Sequence, residues 1–265
     1  MANNNSAAAK AVFVRWEPRV DGESSPAVSH DLNPTGNRSP TNPARGAGVA
    51  VQVEPRWDLL LPGEMCACDI EFQDHQVAGD VHPSGHKKAG RTRWSLRLGW
   101  ISIVNTRGEI VLDVHVHYPT DPNIQVKMPY AAGKDFGVTF DRLKPENGAV
   151  SADIVEAWCE KIFANRTVVL HSGGNDRRAF MYRDVFAAAN IYDTQDDWAC
   201  TKAGDNQPKP GLAALAKNLL GEIIQADGNH GPFEDALTTM KIYLLKHSYD
   251  REAEAAKWQA VYELE

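Results

Sequence analysis

The sequence predicts an α/β fold in which a mixed β-sheet, an antiparallel meander followed by parallel strands, is flanked by helices. Between residues 65 and 117, three apolar segments follow one another closely, and this spacing favours an antiparallel meander. Beyond residue 150, short apolar segments alternate with segments of helical periodicity, which is typical of parallel strands connected through helices. Together the two patterns indicate one mixed sheet with helices packed on its faces.

The strands of the meander are predicted at residues 65–72, 98–104 and 109–117. The first two are short and mostly apolar, as expected of buried strands. In the third, apolar and polar residues alternate, which also suggests a strand. Thr106-Arg107-Gly108 predicts the turn between the second and third strands.

The second half of the chain is expected to alternate between helices and strands. A helix is predicted at residues 151–164 because Ile154, Trp158 and Ile162 recur at helical spacing. The remaining elements are expected in the order strand 167–170, helix 175–189, strand 191–192, helix 212–220 and helix 232–247. The helix at 212–220 is expected to stop at Gly221, a favourable residue for a helix C-terminus.

Three regions are predicted along the chain. Residues 1–56 are expected to form a flexible arm, because the stretch 21–45 is rich in Pro, Ser, Asn and Gly and has few apolar side chains. A short strand at residues 11–14 is the alternative within this arm. Residues 57–247 are expected to form the folded domain. Residues 248–265 are expected to form a helical tail that docks either on the domain or on a partner.

Composition limits the class of protein. No stretch approaches the roughly 20 apolar residues that span a bilayer, and the N-terminus lacks the features of a secretory signal. The four cysteines give no convincing disulfide framework, so an intracellular location, nuclear or cytoplasmic, is expected. The net charge of −7 argues against sequence-independent coating of nucleic acid, although bound cations reverse the local field at an acidic site.

The first candidate site residues are Asp69 and Glu71, which lie in the first predicted strand. Side chains alternate along a strand, so these two carboxylates project from the same face while Ile70 points to the other. Two neighbouring carboxylates repel each other near a core unless a cation compensates, and Mg²⁺ and Mn²⁺ favour carboxylate ligands. The alternative is a strand end whose acids face water.

The third acid is Asp176, which follows the predicted strand 167–170 and opens a predicted helix. It therefore lies at the carboxyl end of a strand, where sites often gather in α/β sheets. A helix cap is the alternative role, because acidic residues stabilise helix N-termini.

The last candidates are His230 and Asp235, which flank the start of the predicted helix 232–247. Pro232 suits the first turn, which places His230 on the preceding loop and Asp235 about one turn inside the helix. Asp235 is then able to reach a metal ion, and histidine is suited to general-base catalysis near neutral pH. A solvent-exposed loop histidine and an ordinary first-turn acid are the alternatives.

Taken together and in order, these residues resemble the motifs of the DEDDh 3′→5′ exonucleases, the superfamily of RNase T, oligoribonuclease and polymerase proofreading subunits. The resemblance is nearest to the eukaryotic RNA exonuclease branch and covers roughly residues 65–247. It extends to five segments: ISIVNTRGEIVLDVHV, TVVLHSGGNDRRAF, Tyr192-Asp193-Thr194-Gln195, GLAALAKNLLG and HGPFEDALTTMKIY. The resemblance implies an RNase H-like fold and identifies residues 57–247 as the exonuclease domain.

The resemblance also implies the chemistry. His230 would be the general base. The ligands of two divalent ions, Mg²⁺ or Mn²⁺, would be four acids: Asp69, Glu71, Asp176 and Asp235. The substrate would be nucleic acid with a free 3′ end, with single-stranded RNA favoured, and the products nucleoside 5′-monophosphates. Two alternatives stay open: a DNA-directed exonuclease, and a non-catalytic RNA-binding or scaffold protein that keeps the fold. Protein partners are not predicted.

A long polar insertion, residues 73–94, follows the first predicted strand and departs from the family pattern. Four basic residues in it are candidates for binding substrate phosphates: Lys87, Lys88, Arg91 and Arg93. The alternative is a solvated basic loop without a ligand.

Overall fold

The computed structural model describes residues 50–128, 136–197, 209–226 and 230–262, all within one compact unit, Pro43–Glu265. The strands are β1 Cys66–Val77, β2 Ser95–Asn105, β3 Ile110–His117, β4 Ile124–Lys127, β5 Val150–Ser151, β6 Thr167–Leu170 and β7 Asn190–Asp193. The helices are α1 Ala152–Phe163, α2 Thr194–Asp197, α3 Leu212–Leu215, α4 Pro232–Leu244 and α5 Arg251–Tyr262. Within these ranges, no helix combines the length and the hydropathy needed to cross a bilayer.

The seven strands form one mixed sheet in the order β5-β3-β2-β1-β6-β7, with β4 paired to the far end of β1. The pairs β1–β2, β2–β3 and β1–β4 are antiparallel, whereas β3–β5, β1–β6 and β6–β7 are parallel. This arrangement confirms the predicted meander followed by parallel strands. It places β1, the strand that carries two of the predicted acids, at the centre of the sheet.

Alternation along β1 divides the core into two layers. Cys66, Cys68 and Ile70 pack into the larger cluster, which includes the apolar residues of α1. Ala67 packs on the other face, in the cluster that includes Ala236 of α4. Because Asp69 and Glu71 alternate with the first set, they lie on the same face of β1 as α4.

The segment after β6 differs from its prediction. The helix expected at residues 175–189 is wrong: only Asp176–Arg178 forms a single 3₁₀ turn there. Three consecutive backbone N–H groups instead donate to the carboxylate of fully buried Glu156, at 2.7–2.8 Å: Met181, Tyr182 and Arg183. Since these donors are satisfied by a side chain of α1, the helical hydrogen bonds expected from the local sequence are not formed.

Two further elements differ in detail. β1 and β4 make a ribbon that extends beyond the predicted first strand, because β1 runs on to Val77 where the prediction ends at residue 72. The predicted helix 212–220 begins as α3 and continues as a π-helical turn, Ala216–Leu220. As predicted, it ends at Gly221, whose φ of 70° is in the left-handed region.

The ends of the folded unit contact its interior. Of the predicted arm, residues 1–49 lie outside the described part of the chain, while the backbone of Gln52 pairs with that of Asp113 in β3. At the other end, Arg251 at the start of α5 donates from Nη1 to Oε1 of the fully buried Glu64, at 2.6 Å. The first turn of the tail helix is therefore attached to the domain.

Candidate active site

Four acidic side chains from three elements come together on the α4 face of the sheet. Asp69 and Glu71 project from β1, Asp176 follows β6 in the 3₁₀ turn, and Asp235 lies in the first turn of α4. β6 is the parallel neighbour of β1, and this pairing brings the loop that carries Asp176 beside the strand that carries the first two acids. All four predicted acids are therefore in one cluster.

The protein environment disfavours ionisation of these carboxyl groups. Burial raises the pKa of Asp69 well above its usual range, and the charges of Asp235, Asp176 and Glu71 raise it further. Burial, followed by the charges of Asp235 and Asp176, has the same effect on the pKa of Glu71. Burial also raises the pKa of Asp176 and of Asp235 to about 7. A cluster of this kind is costly when fully ionised, unless a cation compensates.

His230 lies within the same cluster. Its Nε2 is 3.3 Å from Oε1 of Glu71 and 3.8 Å from Oδ2 of Asp235. The imidazole meets the ring of Phe136 edge-on, with 5.0 Å between the ring centroids. The structure thus brings all five predicted residues together.

Gln225 is part of the site, although no local sequence signal identifies it. Its Nε2 donates to Oδ2 of Asp235 at 2.7 Å, and its backbone N–H donates to Oε2 of Glu234 at 3.2 Å. Gln225 has a φ of 53°, in the left-handed region that non-glycine residues seldom occupy. The hydrogen bond to Asp235 lowers the pKa of that carboxyl group, against the effect of burial.

The loop that carries Asp176 is held by Asp193 at the end of β7. The Asp193 carboxylate accepts hydrogen bonds from the backbone N–H groups of Ser172 at 2.9 Å and Gly173 at 3.0 Å. Gly173 has no room for a side chain, because a Cβ there would lie 2.4 Å from Cδ1 of Leu170. Asp193 therefore fixes the path of the chain just before Asp176 without being one of the four clustered acids.

Trp100 supports the loop that carries His230. The indole lies so close to Gly231 that a Cβ on this glycine would be 2.9 Å from the ring. On β2, Trp100 is the cross-strand partner of Glu71. The indole also stacks on the His115 ring, with 4.6 Å between the ring centroids. Trp100 therefore packs between the loop that carries His230 and the His115 side chain of β3.

The backbone beside Glu71 is irregular. The β1–β2 pairing shifts by one residue between Glu71 and Phe72, which leaves Gly99 of β2 as the extra residue of a bulge. A Cβ on Gly99 would lie 2.9 Å from the carbonyl oxygen of Glu71, so only glycine fits without a shift of its neighbours. Bulges increase the local twist of a strand and redirect side chains near active sites.

The donor set fits a divalent cation. Glu71, His230 and Asp235 each offer one ligand atom, and these three atoms all lie within 4.8 Å of one another. Oδ1 of Asp235 is buried and has no hydrogen-bond partner among the described residues. Carboxylate oxygens are the ligands that Mg²⁺ and Mn²⁺ favour, and a cation would also relieve the repulsion within the cluster.

The four basic residues predicted to bind substrate lie in the loop between β1 and β2, and all four are exposed. The loop begins after Val77, six residues beyond Glu71. At about 3.3 Å per residue, its base lies roughly 20 Å along the strand from Glu71. The contact of these four basic residues with substrate stays a prediction.

Comparison with known proteins identifies similar chains. Over 208 residues the chain is 28% identical to "RNA exonuclease 4" of Candida glabrata, covering 77% of this chain and 68% of the relative. Over 183 residues it is 28% identical to "RNA exonuclease 4" of Kluyveromyces lactis, covering 68% of this chain and 53% of the relative. No family model matches the chain.

Solved structures of similar fold include nuclease domains. The catalytic unit of Neurospora crassa Pan2, comprising protease and nuclease domains, superposes with a TM-score of 0.53 and 19% identity. The Saccharomyces cerevisiae Pan2 pseudoubiquitin hydrolase–RNA exonuclease module in complex with AAUUAA RNA gives a TM-score of 0.50 and 20% identity. These matches cover 84% and 83% of this chain but only 34% and 35% of the Pan2 chains. The solved structures confirm the predicted RNase H-like fold, and the curated relatives confirm the predicted similarity to eukaryotic RNA exonucleases.

Proposed function

We propose that the chain is a metal-dependent 3′→5′ exonuclease that acts on RNA and releases nucleoside 5′-monophosphates. The observation that carries this proposal is the convergence of one histidine and four carboxylates, three buried and Asp69 half-buried, from separate elements of the fold. Buried acids are seldom gathered without a compensating partner. A binding scaffold has no need for such a cluster, whereas metal-dependent hydrolysis of a phosphodiester requires one.

The choice of RNA is supported by the relatives. The similar curated proteins are named as RNA exonucleases, and one similar solved structure was determined in complex with RNA. The chain spans about two thirds and one half of the curated relatives and about one third of the Pan2 chains. RNA is therefore the first substrate to test, and DNA is the comparison.

The four acids would hold the metal: Asp69, Glu71, Asp176 and Asp235. When bound, a pair of Mg²⁺ or Mn²⁺ ions would supply positive charge to the scissile phosphate and to the leaving oxygen. The protein supplies the carboxylates on fixed elements, with Asp235 oriented by the hydrogen bond from Gln225. Asp193 holds the loop that presents Asp176.

His230 would be the general base. Its Nε2 faces the carboxylates of Glu71 and Asp235, which stabilise the imidazolium formed when it accepts a proton. A water oxygen attacks the last phosphodiester, its proton passes to His230, and the bond from phosphorus to the 3′ oxygen breaks. The terminal nucleotide leaves with its 5′-phosphate, while the shortened strand keeps a 3′-hydroxyl after the 3′ oxygen takes a proton from solvent.

The test uses RNA and DNA oligonucleotides of one sequence, each labelled at the 5′ end and carrying either a 3′-hydroxyl or a 3′-phosphate. We expect the RNA with a free 3′-hydroxyl to shorten by one nucleotide at a time, with nucleoside 5′-monophosphate as the product. Cleavage at internal positions, or faster digestion of DNA, would contradict the assignment. RNA binding without digestion under Mg²⁺ or Mn²⁺ would support the non-catalytic alternative instead.

A further inference from the structure

The segment between β1 and β2, residues 78–94, is a folded hairpin rather than an open loop, and we name it the basic hairpin. Val81 pairs with Thr92 in an isolated antiparallel bridge. The His82 N–H donates to the carbonyl of Arg91 at 2.9 Å, and the Arg93 N–H donates to the carbonyl of Asp80 at 3.0 Å. A surface fixed by backbone hydrogen bonds loses little conformational entropy when a ligand binds.

The basic hairpin is strongly positive on an acidic protein. Its 17 residues contain four lysines and arginines and a single acid, Asp80, whereas the whole chain has a net charge of −7. The four cations are exposed, and none forms an ion pair with a carboxylate within the described ranges: Lys87, Lys88, Arg91 and Arg93. Ordinary surface cations of this protein, such as Lys144 and Arg183, are paired with acids. The hairpin charges are therefore available to an anionic partner.

An aromatic ring lies at the base of the same hairpin. Trp94 is 40% exposed, which leaves part of the indole accessible. Nζ of Lys127, on the neighbouring β4, is 4.4 Å from the centroid of this ring. Binding sites for single-stranded nucleic acid combine cations, which contact the phosphates, with accessible aromatic rings, on which the bases stack.

The basic hairpin and the acidic cluster lie within reach of one RNA strand. The hairpin begins directly after β1, the strand that carries Asp69 and Glu71, and its base lies about 20 Å beyond Glu71 along the strand. A stacked nucleic-acid strand rises about 3.4 Å per nucleotide, so roughly six nucleotides span this distance. An RNA whose 3′ end occupies the acidic cluster would then reach the hairpin with its upstream phosphates.

We propose that the basic hairpin is a second RNA-docking surface, which binds the strand about six nucleotides upstream of the 3′ end. This proposal rests on the proposed exonuclease function and extends it to substrate length. RNA is favoured over an acidic protein segment because the hairpin follows directly on the strand that carries Asp69 and Glu71, and because Trp94 provides a stacking surface. The enzyme is accordingly expected to prefer strands longer than about six nucleotides.

The experiment compares the wild type with a variant in which all four hairpin cations are alanine: K87A, K88A, R91A and R93A. A control variant removes the same number of charges from exposed residues elsewhere: R56A, K144A, K161A and K257A. Binding of a labelled 20-nucleotide RNA is measured by fluorescence anisotropy in EDTA, at several KCl concentrations. The ratio of kcat/KM for the 20-mer to that for a trinucleotide is measured with Mg²⁺.

We expect the hairpin variant to bind the 20-mer about 10- to 100-fold more weakly than the control. Its plot of log affinity against log salt should be shallower by about 3, since each single-strand phosphate contact contributes roughly 0.7. The kcat/KM ratio should fall by a similar factor. Equal affinity and equal salt slope in the two variants would overturn the docking proposal while leaving the exonuclease function intact. If the wild type binds RNA but does not digest it, and the hairpin variant loses this binding, the docking proposal is supported and the exonuclease function is rejected.

Discussion

The indole Nε1 of Trp100 donates a hydrogen bond of 2.7 Å to Oδ1 of Asp113, a buried carboxylate on the neighbouring strand. Oγ of Ser102 donates to the same oxygen at 2.5 Å, and the backbone N–H of Val51 donates to the other oxygen at 2.7 Å. Since the indole packs against Gly231, this network fixes one wall of the loop that carries His230.

Replacement of Trp100 tests whether this network positions the site. In Trp100→Phe, the ring volume falls and the hydrogen bond to Asp113 is lost, so the His230 loop is less restrained. We expect kcat to fall about tenfold with KM changed less than about twofold, since small displacements of catalytic groups are costly. Steady-state kinetics check this, with circular dichroism as the control for folding. A change confined to KM would contradict the positioning role.

His230→Ala separates a general base from a metal ligand. If His230 accepts the proton, its removal should reduce the rate by about 10² to 10⁴ while Mn²⁺ binding stays unchanged. Isothermal titration with Mn²⁺ is the second readout, because Nε2 of His230 lies close enough to Glu71 and Asp235 to share a cation with them. Weakened Mn²⁺ binding in parallel with the loss of rate would assign His230 as a ligand instead.

Gln225 is expected to favour the ionised form of Asp235, which is the form that binds a cation. Its hydrogen bond lowers the pKa of Asp235, so Gln225→Leu should raise that pKa further above its present value of about 7. Protons then compete better with the metal, and the Mg²⁺ concentration for half-maximal activity at pH 7 should rise several-fold. At pH 9, where the carboxyl group is ionised in both proteins, the difference should shrink. A difference independent of pH would show that Gln225 acts through geometry alone.

The raised pKa values also predict how stability depends on pH and metal. Asp176 and Asp235 have folded-state pKa values of about 7, above the roughly 3.9 of an unfolded Asp. Between these values the folded protein binds more protons than the unfolded chain, so in EDTA the free energy of unfolding should fall as pH rises from about 4 to 7.

Thermal unfolding measures this dependence. With EDTA, Tm should decrease over that pH interval, and Mn²⁺ should raise Tm more at pH 8 than at pH 5, since it binds the ionised carboxylates. The double variant Asp176→Asn and Asp235→Asn serves as the control, and its Tm should respond less to both pH and Mn²⁺. A wild-type Tm that is higher at pH 8 than at pH 5 in EDTA, with no response to metal, would contradict the arrangement.

Much of the fold could be predicted from local patterns. The meander follows from three closely spaced apolar segments, and α1 and α4 follow from helical periodicity within one residue at the start of each helix. The segment 175–189 could not be predicted, because its backbone donors bind Glu156, whose position in α1 is distant in sequence. The local sequence also does not predict the full length of β1, since its last residues are stabilised by pairing with β4.

The five predicted site residues lie together, but the residues that hold them were not predicted. Asp69 and Glu71 share a face by strand alternation alone, which is a local property of the sequence. Gln225 reaches Asp235 from a separate loop, and Trp100 of β2 reaches Asp113 on the adjacent strand β3. Such contacts depend on tertiary structure, so the local sequence does not predict them.

We propose that the acidic cluster catalyses metal-dependent hydrolysis. The most direct measurement is digestion of a 5′-labelled single-stranded RNA by the wild type, by Asp69→Asn and by the surface control Asp184→Asn, each with Mg²⁺, with Mn²⁺ and with EDTA. We predict a ladder that shortens from the 3′ end for the wild type and the control in either metal. No ladder should form in EDTA, and the rate should be at least about 10²-fold lower for Asp69→Asn. Digestion by Asp69→Asn at the wild-type rate, or undiminished digestion in EDTA, would contradict the account.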